Sequence, residues 1–301
     1  MIAIVSHDAG GAEILSSWLR KCDESYNLVL EGPAKNIFQR KIGAFHSLPL
    51  ADAIEQSDWV LCGTSWQSNL ERQAIIRAKA VGKKVVAFLD HWVNYKERFI
   101  EQGVEVCPDE IWVGDFDAEQ IARTKFHGVP ILLKSNPYFA ELRQELERLK
   151  SESSNSKQSS VLYVCEPIRE HALLQHGDER YWGYTEEDAL KFFITNIEAL
   201  RVDIDKIIIR PHPSENRTKY DWVKACSTLM IETGGARTLL EEIVEADIVV
   251  GCESMAMVVG LLANKRVVSS IPSSGKLCSL PQRGIERLKE LVQINQKLGH
   301  V

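Results

Sequence analysis

Short apolar runs alternate with amphipathic stretches from one end of the chain to the other. In the first half, six runs predict strands, at residues 2–5, 26–30, 59–63, 84–90, 110–114 and 130–134. Five more follow, at residues 161–167, 205–213, 228–234, 246–254 and 265–272. The sequences between them have helical periodicity, clearest in YTEEDALKFFITNIEAL at residues 184–200. Strands that are apolar on both faces and separated by helices indicate parallel sheets covered on both sides.

One segment interrupts this alternation. LKSESSNSKQSS, at residues 149–160, has no apolar periodicity and is rich in Ser and Lys, which predicts a linker. A chain of 301 residues suits two domains of about 150 residues each. We therefore predict an α/β protein with two Rossmann-like, doubly wound domains, residues 1–148 and 161–301, which face each other across a cleft. In such sheets the ligand lies beyond the carboxyl ends of the strands.

Composition narrows the function classes. A net charge of −6 argues against a nucleic-acid partner, which normally selects a basic excess. Seven scattered cysteines without CxxC spacing argue against disulfides and zinc and favour a reducing compartment. No run approaches the roughly 18 apolar residues of a membrane span, and the first residues lack a signal pattern. We expect a cytoplasmic protein, and a peripheral membrane contact stays open.

The loop after the first strand, SHDAGGAE, is dense in polar residues. Gly10 and Gly11 permit a tight turn and close approach to a ligand, and the following helix offers free amides to an anion. Asp8 and Glu13 are candidate catalytic carboxylates in this loop. The loop is not a G-x-G-x-x-G motif, so a plain NAD site is not expected. A simple strand–helix turn with solvated or capping side chains is the alternative.

The fourth strand ends in LDHWVNY, where Asp90 is a further candidate base for a hydroxyl proton. Its alternative role is to cap the next helix. The third strand ends in GTSWQSN, residues 63–69, a weaker candidate whose Ser and Thr side chains also suit helix caps. None of the strand-end motifs singled out here is a metal-binding DxD box, so no metal site is predicted.

The strongest motif is IIIRPHPSE at residues 207–215. Arg210 and His212 follow a buried run, both can donate hydrogen bonds to a phosphate, and the flanking prolines restrict their backbone. We expect His212 to be both a phosphate ligand and a catalytic group. A structural histidine is the alternative.

Two later strand ends complete the set. In VVGCESMAM, Gly251 permits close approach, Glu253 is an acceptor for hydroxyls, and Ser254 begins a helix whose amides suit a phosphate. Ser254 also fits a plain helix cap. Glu232, in IETGG, is a second candidate for holding a ribose, and Glu166 in VCEPIRE is expected to face the cleft.

These motifs together resemble those of glycosyltransferases of the GT-B fold. The HP pair at His212 is similar to the motif of bacterial sialyltransferases and of CDP-glycerol glycerophosphotransferases, and the first loop is similar to that of Kdo transferases. The resemblance implies that His212 and Ser254 bind the donor phosphate and that Glu13 is a candidate base. All three families use cytidine nucleotides, so a CMP- or CDP-linked donor is favoured and a UDP-linked donor stays open.

The predicted activity is metal-independent, inverting transfer of a sugar, in the favoured case a CMP-linked acidic sugar, to a surface-polysaccharide or other glycan acceptor. Arg210, His212 and Ser254 would stabilise the leaving phosphate, and Glu253 or Glu232 would hold the ribose. Asp8, Glu13 or Asp90 would take the acceptor proton, and the sequence does not choose among them. No cofactor beyond the nucleotide-sugar substrate is expected. Two alternatives are a UDP-sugar 2-epimerase and a non-catalytic sugar-nucleotide-binding protein.

Overall fold

The computed structural model describes residues 1–65, 68–152 and 159–298. It divides into two compact units, Met1–Glu141 (unit 1) and Leu142–Val301 (unit 2). The division falls inside a helix that continues to Glu152, so the first residues of the predicted linker are helical. Residues 153–158 of that segment lie outside the described residues.

Unit 1 is built on a six-stranded parallel sheet. Its strands run in the order β2-β1-β3-β4-β7-β8, and β5 and β6 form a separate short hairpin. The strand bounds are β1 Ile2–Ser6, β2 Tyr26–Leu30, β3 Trp59–Cys62, β4 Lys84–Leu89, β5 Ile100–Glu101, β6 Val104–Glu105, β7 Glu110–Val113 and β8 Ile131–Leu133. The chain leaves β1 for β2 on one side and returns to β3 on the other, so its direction of winding reverses between β1 and β3.

Unit 2 repeats this plan with a second six-stranded parallel sheet. Its order is β11-β10-β9-β12-β13-β14, and winding reverses between β9 and β12. The strand bounds are β9 Ser160–Val164, β10 Lys206–Arg210, β11 Met230–Thr233, β12 Ile248–Gly251, β13 Arg266–Ser269 and β14 Ile285–Arg287. In doubly wound sheets the ligand crevice opens at these reversal points, beyond the carboxyl ends of the strands.

Helices connect the strands and cover the sheets. Their bounds are α1 Ala9–Leu19, α2 Gly32–Ile42, α3 Leu50–Glu55, α4 Leu70–Ala80, α5 Phe116–Lys125, α6 Pro137–Glu152, α7 Ile168–His176, α8 Glu186–Thr195, α9 Leu239–Glu245, α10 Met255–Leu262 and α11 Leu288–Leu298. The predicted helix at 184–200 is α8 followed by a short 3-10 helix, Ile197–Leu200. Thr185 caps α8 in a capping box with Asp188.

The strands are apolar because both faces of each sheet are buried. In unit 1, Ile2, Ile4 and Leu61 are fully buried against helices α1 and α2, and in unit 2 Val161, Ile207 and Val250 have the same role. The predicted doubly wound α/β class is therefore confirmed for each unit. The closing sequence RGIERLKELVQINQKL has a helical pattern, but its residues Ile285–Arg287 extend the second sheet as β14 before α11 begins.

Candidate functional site

The loop after β1 contains a histidine–aspartate pair. His7 Nδ1 lies 2.7 Å from Asp8 Oδ1, and Ser65 Oγ donates to the same carboxylate oxygen over 2.8 Å. A carboxylate only accepts, so His7 Nδ1 carries the proton, and the neutral ring keeps its lone pair on Nε2. Ser65 follows β3, so this contact joins the two strands at which the winding of unit 1 reverses. The arrangement is that of an imidazole base oriented by a carboxylate.

Glycines allow the chain around His7, Asp8 and Asp90 to pack closely, because a side chain at these positions would meet neighbouring atoms. A Cβ at Gly32, which has φ of +48°, would meet the His7 ring, and a Cβ at Gly10 would overlap the Asp90 carboxylate. At Gly11 a Cβ would lie 3.2 Å from the Cα of Gly63. The predicted role of Gly10 and Gly11 in ligand approach remains a prediction, but their small size is already required by these protein contacts.

Asp90 is engaged in a buried ion pair. Arg98 Nη1 lies 2.9 Å from Asp90 Oδ1, and Thr64 Oγ1 donates to the same oxygen over 3.1 Å. Arg98 also donates to the Thr64 carbonyl over 3.2 Å. The Asp90 and Arg98 side chains are 8% and 9% exposed. Asp90 therefore connects the ends of β3 and β4. To act as a base, its carboxylate would have to accept a proton while it is paired with the Arg98 guanidinium.

A second carboxyl group lies beneath the His7–Asp8 loop. Glu71, in the first turn of α4, is 3% exposed, and its Oε1 accepts the His7 N–H over 2.7 Å. Burial raises the pKa of Glu71 to about 7, and the charge of Asp8 acts in the same direction. A carboxyl that titrates near neutrality thus supports the backbone of the candidate base.

Glu13, the third candidate base, lies within α1 and belongs to a charge cluster. Its carboxylate pairs with Arg40 and, over 2.9 Å, with Lys41 of α2. Lys41 also lies 3.0 Å from Glu141, which accepts from Ser17 over 2.8 Å. These contacts connect Glu13 to this charge cluster.

In unit 2 the RPHP loop holds His212 in one orientation. The ring Nδ1 of His212 is 2.8 Å from Ser214 Oγ and accepts the backbone N–H of Ser214 over 3.2 Å. The backbone N–H of His212 donates to Glu215 over 2.9 Å. Partial burial lowers the pKa of His212, and His171 adds to this effect while Glu215 opposes it. Because Nδ1 accepts, the neutral ring presents an N–H at Nε2.

Arg210 has a protein partner in the structure. Its Nη1 donates to Glu242 over 2.6 Å and to the Arg237 carbonyl over 3.1 Å. The Glu242 side chain is 3% exposed, so this pair fixes the end of β10 against α9. Phosphate binding by Arg210 remains a prediction, and it requires the guanidinium to use its other nitrogen atoms or to leave Glu242.

The carboxyl ends of β9 and β12 are joined by Glu166. Its Oε1 accepts the N–H groups of Cys252 and Glu253, over 3.0 and 2.8 Å. Burial raises the pKa of Glu166 to about 7, and the negative charge of Glu253 contributes, while the amides act against them. Ser254 is the N-cap of α10, and its Oγ accepts the Ala256 N–H. The Glu166 carboxyl group therefore lies beside the start of α10, where a phosphate was predicted.

The other predicted ligands in unit 2 are placed by packing and pairing. Glu253 lies 2.5 Å from Lys276 and accepts the Ser279 N–H over 3.1 Å. A Cβ at Gly251 would lie 2.8 Å from the Val164 side chain, so that glycine is explained by packing. Glu232 lies within β11, pairs with Lys206 over 3.4 Å and is half exposed. Lys206 begins β10, whereas His212 follows its end, so Glu232 is not brought to the other candidates.

Sequence reasoning missed several participants. Arg98, Glu71, Lys276 and Glu215 were not singled out. Glu71 and Lys276 act through partners distant in sequence, His7 and Glu253, whereas Arg98 and Glu215 contact Asp90 and His212 only 8 and 3 residues away. Ser65 had only the weak signal of its place after the third strand. Trp66 and Gln67 of the same run lie outside the described residues.

Two features are absent from residues 1–65, 68–152 and 159–298. No group of three or more His, Cys, Asp or Glu side chains there is arranged to hold a metal ion. No helix in the same ranges is long and apolar enough to cross a membrane.

No family model and no curated protein matches the sequence. The fold matches solved structures over both units. S. aureus MnaA in a co-structure with UDP has a TM-score of 0.61 at 10% identity, with 100% of this chain and 88% of that chain covered. A putative UDP-N-acetylglucosamine 2-epimerase from Listeria monocytogenes has 0.60 at 12%, with 99% and 88% covered. The glycotransferase of kitacinnamycin has 0.51 at 13%, with 95% and 85% covered. The chain therefore has a GT-B-like fold made of two Rossmann-type units.

Proposed function

We propose that the protein is a GT-B-type glycosyltransferase that takes a nucleotide sugar as donor and a glycan hydroxyl as acceptor. The observation that carries the proposal is the fixed imidazole of His212, which presents Nε2–H at the carboxyl edge of the second sheet. The strand that precedes it, β10, is the neighbour of β9, and β9 is followed by Glu166, whose carboxyl group accepts the N–H groups of Cys252 and Glu253 in the loop before α10. An N–H donor and free helix amides are suited to a leaving phosphate.

Unit 1 would supply the base. His7 is oriented by Asp8, and its Nε2, which lies next to Gly32, would take the proton from an acceptor hydroxyl as that oxygen attacks the anomeric carbon. The bond from the sugar to the donor phosphate breaks in the same displacement, which inverts the anomeric centre. Of the three carboxylates predicted from sequence, Asp8 is the one best supported, as the residue that orients the base. The other two carboxylates, those of Asp90 and Glu13, are paired with Arg98 and Lys41.

Nucleotide binding is the first test. Melting temperatures are measured with CMP, CDP, UMP, UDP, GDP and NAD, for the unsubstituted protein and for His212→Ala. At about 100 times Kd a true ligand adds roughly 2.7 kcal/mol to the free energy of unfolding. The exposed His127 provides a matched control, and His127→Ala should keep the full response. A pyrimidine nucleotide response that His212→Ala abolishes supports the proposal. No response to any nucleotide in the folded protein overturns it.

A UDP-sugar 2-epimerase is the second candidate, favoured by the match to S. aureus MnaA with UDP and to the Listeria protein. The two activities differ in their products. An epimerase converts a UDP-sugar into its 2-epimer without an acceptor, whereas a transferase releases the nucleotide and links the sugar to an alcohol. Proton NMR of UDP-N-acetylglucosamine incubated with the protein detects the first outcome. A new anomeric signal that needs a glycan acceptor supports the transferase. If neither product forms, the non-catalytic sugar-nucleotide-binding protein is the remaining alternative.

A further inference from the structure

A buried carboxylate closes the RPHP loop on itself. The side chain of Glu215 is 3% exposed. Its Oε2 accepts the backbone N–H of His212 over 2.9 Å, and its own backbone N–H donates to the His212 carbonyl over 2.8 Å. The backbone N–H of Ser214 donates to the His212 ring at Nδ1. The N–H, the carbonyl and Nδ1 of His212 therefore all have partners within residues 212–215, and this closed loop sets the direction of Nε2.

Lys219 connects the Glu215 carboxylate to a second buried carboxylate. Its Nζ lies 2.7 Å from Glu215 Oε1 and also contacts Oε1 of Glu186, whose side chain is equally buried. Burial alone would lower the pKa of Lys219, but the hydrogen bonds to these two carboxylates raise it above its usual value. Tyr220 donates its hydroxyl to Glu215 Oε1 over 2.8 Å. Glu215 thus accepts from three donors, one of which is a cation.

The same network reaches the two helices that follow β9. Glu186 begins α8, and its Oε2 accepts the N–H of Arg169 in the first turn of α7 over 2.8 Å. The RPHP loop is therefore joined through Lys219 to the starts of α7 and α8. Replacing a buried ion pair by well-packed apolar side chains is often neutral or stabilising. Stability is thus a weak reason for this arrangement, whereas a fixed geometry of the loop is its direct consequence.

We propose that Glu215 and Lys219 are positioning residues for His212: the Glu215 carboxylate fixes the backbone of the loop, and Lys219 fixes that carboxylate. The inference rests on the proposed function, in which the Nε2–H of His212 binds the leaving phosphate of the donor. It adds the two side chains that keep this N–H in place. A donor that is oriented before the ligand arrives stabilises the phosphate without a further cost of ordering.

The charge and the hydrogen bond of Glu215 act on His212 in ways that can be separated. Partial burial lowers the pKa of His212; Glu215 opposes this effect, His171 of α7 adds to it, and Glu170 of α7 opposes it. Removing the charge of Glu215 while the loop stays closed should therefore lower the pKa further. Opening the loop should instead raise it toward 6.5, because the ring would then be solvated.

Two substitutions of Glu215 make the test in the full-length protein. Glu215→Gln keeps an oxygen that can accept the His212 N–H, whereas Glu215→Ala removes it. Glu215→Ala should weaken the binding of UDP or CMP about tenfold or more, as loss of a hydrogen bond to a charged group does, and Glu215→Gln should restore most of the affinity. Calorimetry measures the affinity. The C2–H signal of His212 should titrate at a lower pH in Glu215→Gln than in the unsubstituted protein, and at a higher pH in Glu215→Ala than in Glu215→Gln.

Lys219→Met tests the second step and should also weaken nucleotide binding about tenfold, since Glu215 loses its cation. Lys224→Met is the matched control, because Lys224 forms an exposed pair with Asp221, and its affinity should be unchanged. Urea denaturation establishes that each variant is folded under the conditions of the binding experiment.

Two results would overturn the inference and leave the proposed function standing. One is a folded Glu215→Ala variant that binds the nucleotide as tightly as the unsubstituted protein. The other is an equal loss of affinity in Glu215→Ala and Glu215→Gln with an unchanged titration of His212, which would indicate a general effect on the fold. No response of the unsubstituted protein to any nucleotide would reject the proposed function and this inference together.

Discussion

His7 Nδ1 lies 2.7 Å from Asp8 Oδ1, and the same oxygen accepts a hydrogen bond from Ser65. This relationship assigns the proton of the neutral ring to Nδ1 and gives Nε2 the character of a base. It joins two residues adjacent in sequence to a third from the next strand of the sheet. Unit 1 therefore has an oriented imidazole at the reversal point of its strand order.

Replacing Asp8 by Asn should lower kcat by about 10²- to 10⁴-fold, because the amide no longer selects the Nδ1–H form of His7. Nucleotide binding in unit 2 should be unchanged. Ser65→Ala removes only one hydrogen bond to Asp8 and should cost less than tenfold. Steady-state rates and nucleotide melting shifts measure both effects. Unchanged turnover in Asp8→Asn would exclude the pair from catalysis.

Gly32→Ala should destabilise the protein by more than Gly177→Ala. Both glycines have positive φ, +48° and +74°, so each substitution strains the backbone by about 1–3 kcal/mol. At Gly32 the new Cβ also meets the His7 ring, whereas nothing lies within 4 Å at Gly177. Urea denaturation midpoints of the two variants make the comparison. Equal midpoints would mean that the His7 ring does not occupy this place.

Arg98→Met should reduce the free energy of unfolding by about 3–5 kcal/mol, because it leaves the Asp90 carboxylate buried without its partner. The exposed Arg148, which pairs with Glu145 and Glu152, provides the control. Arg148→Ala should cost at most about 1 kcal/mol, as solvated ion pairs do. Similar losses in urea denaturation for both variants would show that the Asp90 pair is solvated in solution.

The imidazole C2–H signal of His212 should titrate below pH 6.5, since partial burial disfavours the charged ring. Because the pKa of His212 is lower in the folded state than in the unfolded chain, its contribution to stability is present above the unfolded pKa and is lost as pH falls through the folded pKa. A bound phosphate should raise the midpoint by stabilising the imidazolium. His212→Ala identifies the signal. A midpoint above 6.5 without ligand would contradict the structure.

Glu71→Gln should make the protein more stable at pH 8 than the unsubstituted chain. The pKa of Glu71 is raised to about 7, so its neutral form is favoured in the folded state, and that stability is lost as pH rises through 7. The shift corresponds to a gain of about 3 kcal/mol at most, and it should be absent at pH 4. Thermal unfolding across this range tests the difference. A constant difference between the two proteins at all pH values would reject the assigned titration.

The alternation of apolar and polar residues was sufficient to predict every strand of the two six-stranded sheets except β14, and the edge at which polar groups gather. This succeeds because a parallel strand buried on both faces must be apolar throughout, whatever its neighbours in space. The same logic located the loops of His7–Asp8, Arg210–His212 and Glu253–Ser254. The Thr185 cap was also predictable, since a capping box needs only residues three positions apart.

The charge partners were decided by the tertiary structure alone. Arg210 pairs with Glu242, Asp90 with Arg98, Glu13 with Lys41, and Glu232 with Lys206. A carboxylate has the same letter in the sequence whether it is a base, a ligand or half of an ion pair, and the difference depends on the charges and water around it. Glu166 is the clearest case, because the two N–H groups that its carboxyl group accepts lie 86 and 87 residues away in the sequence.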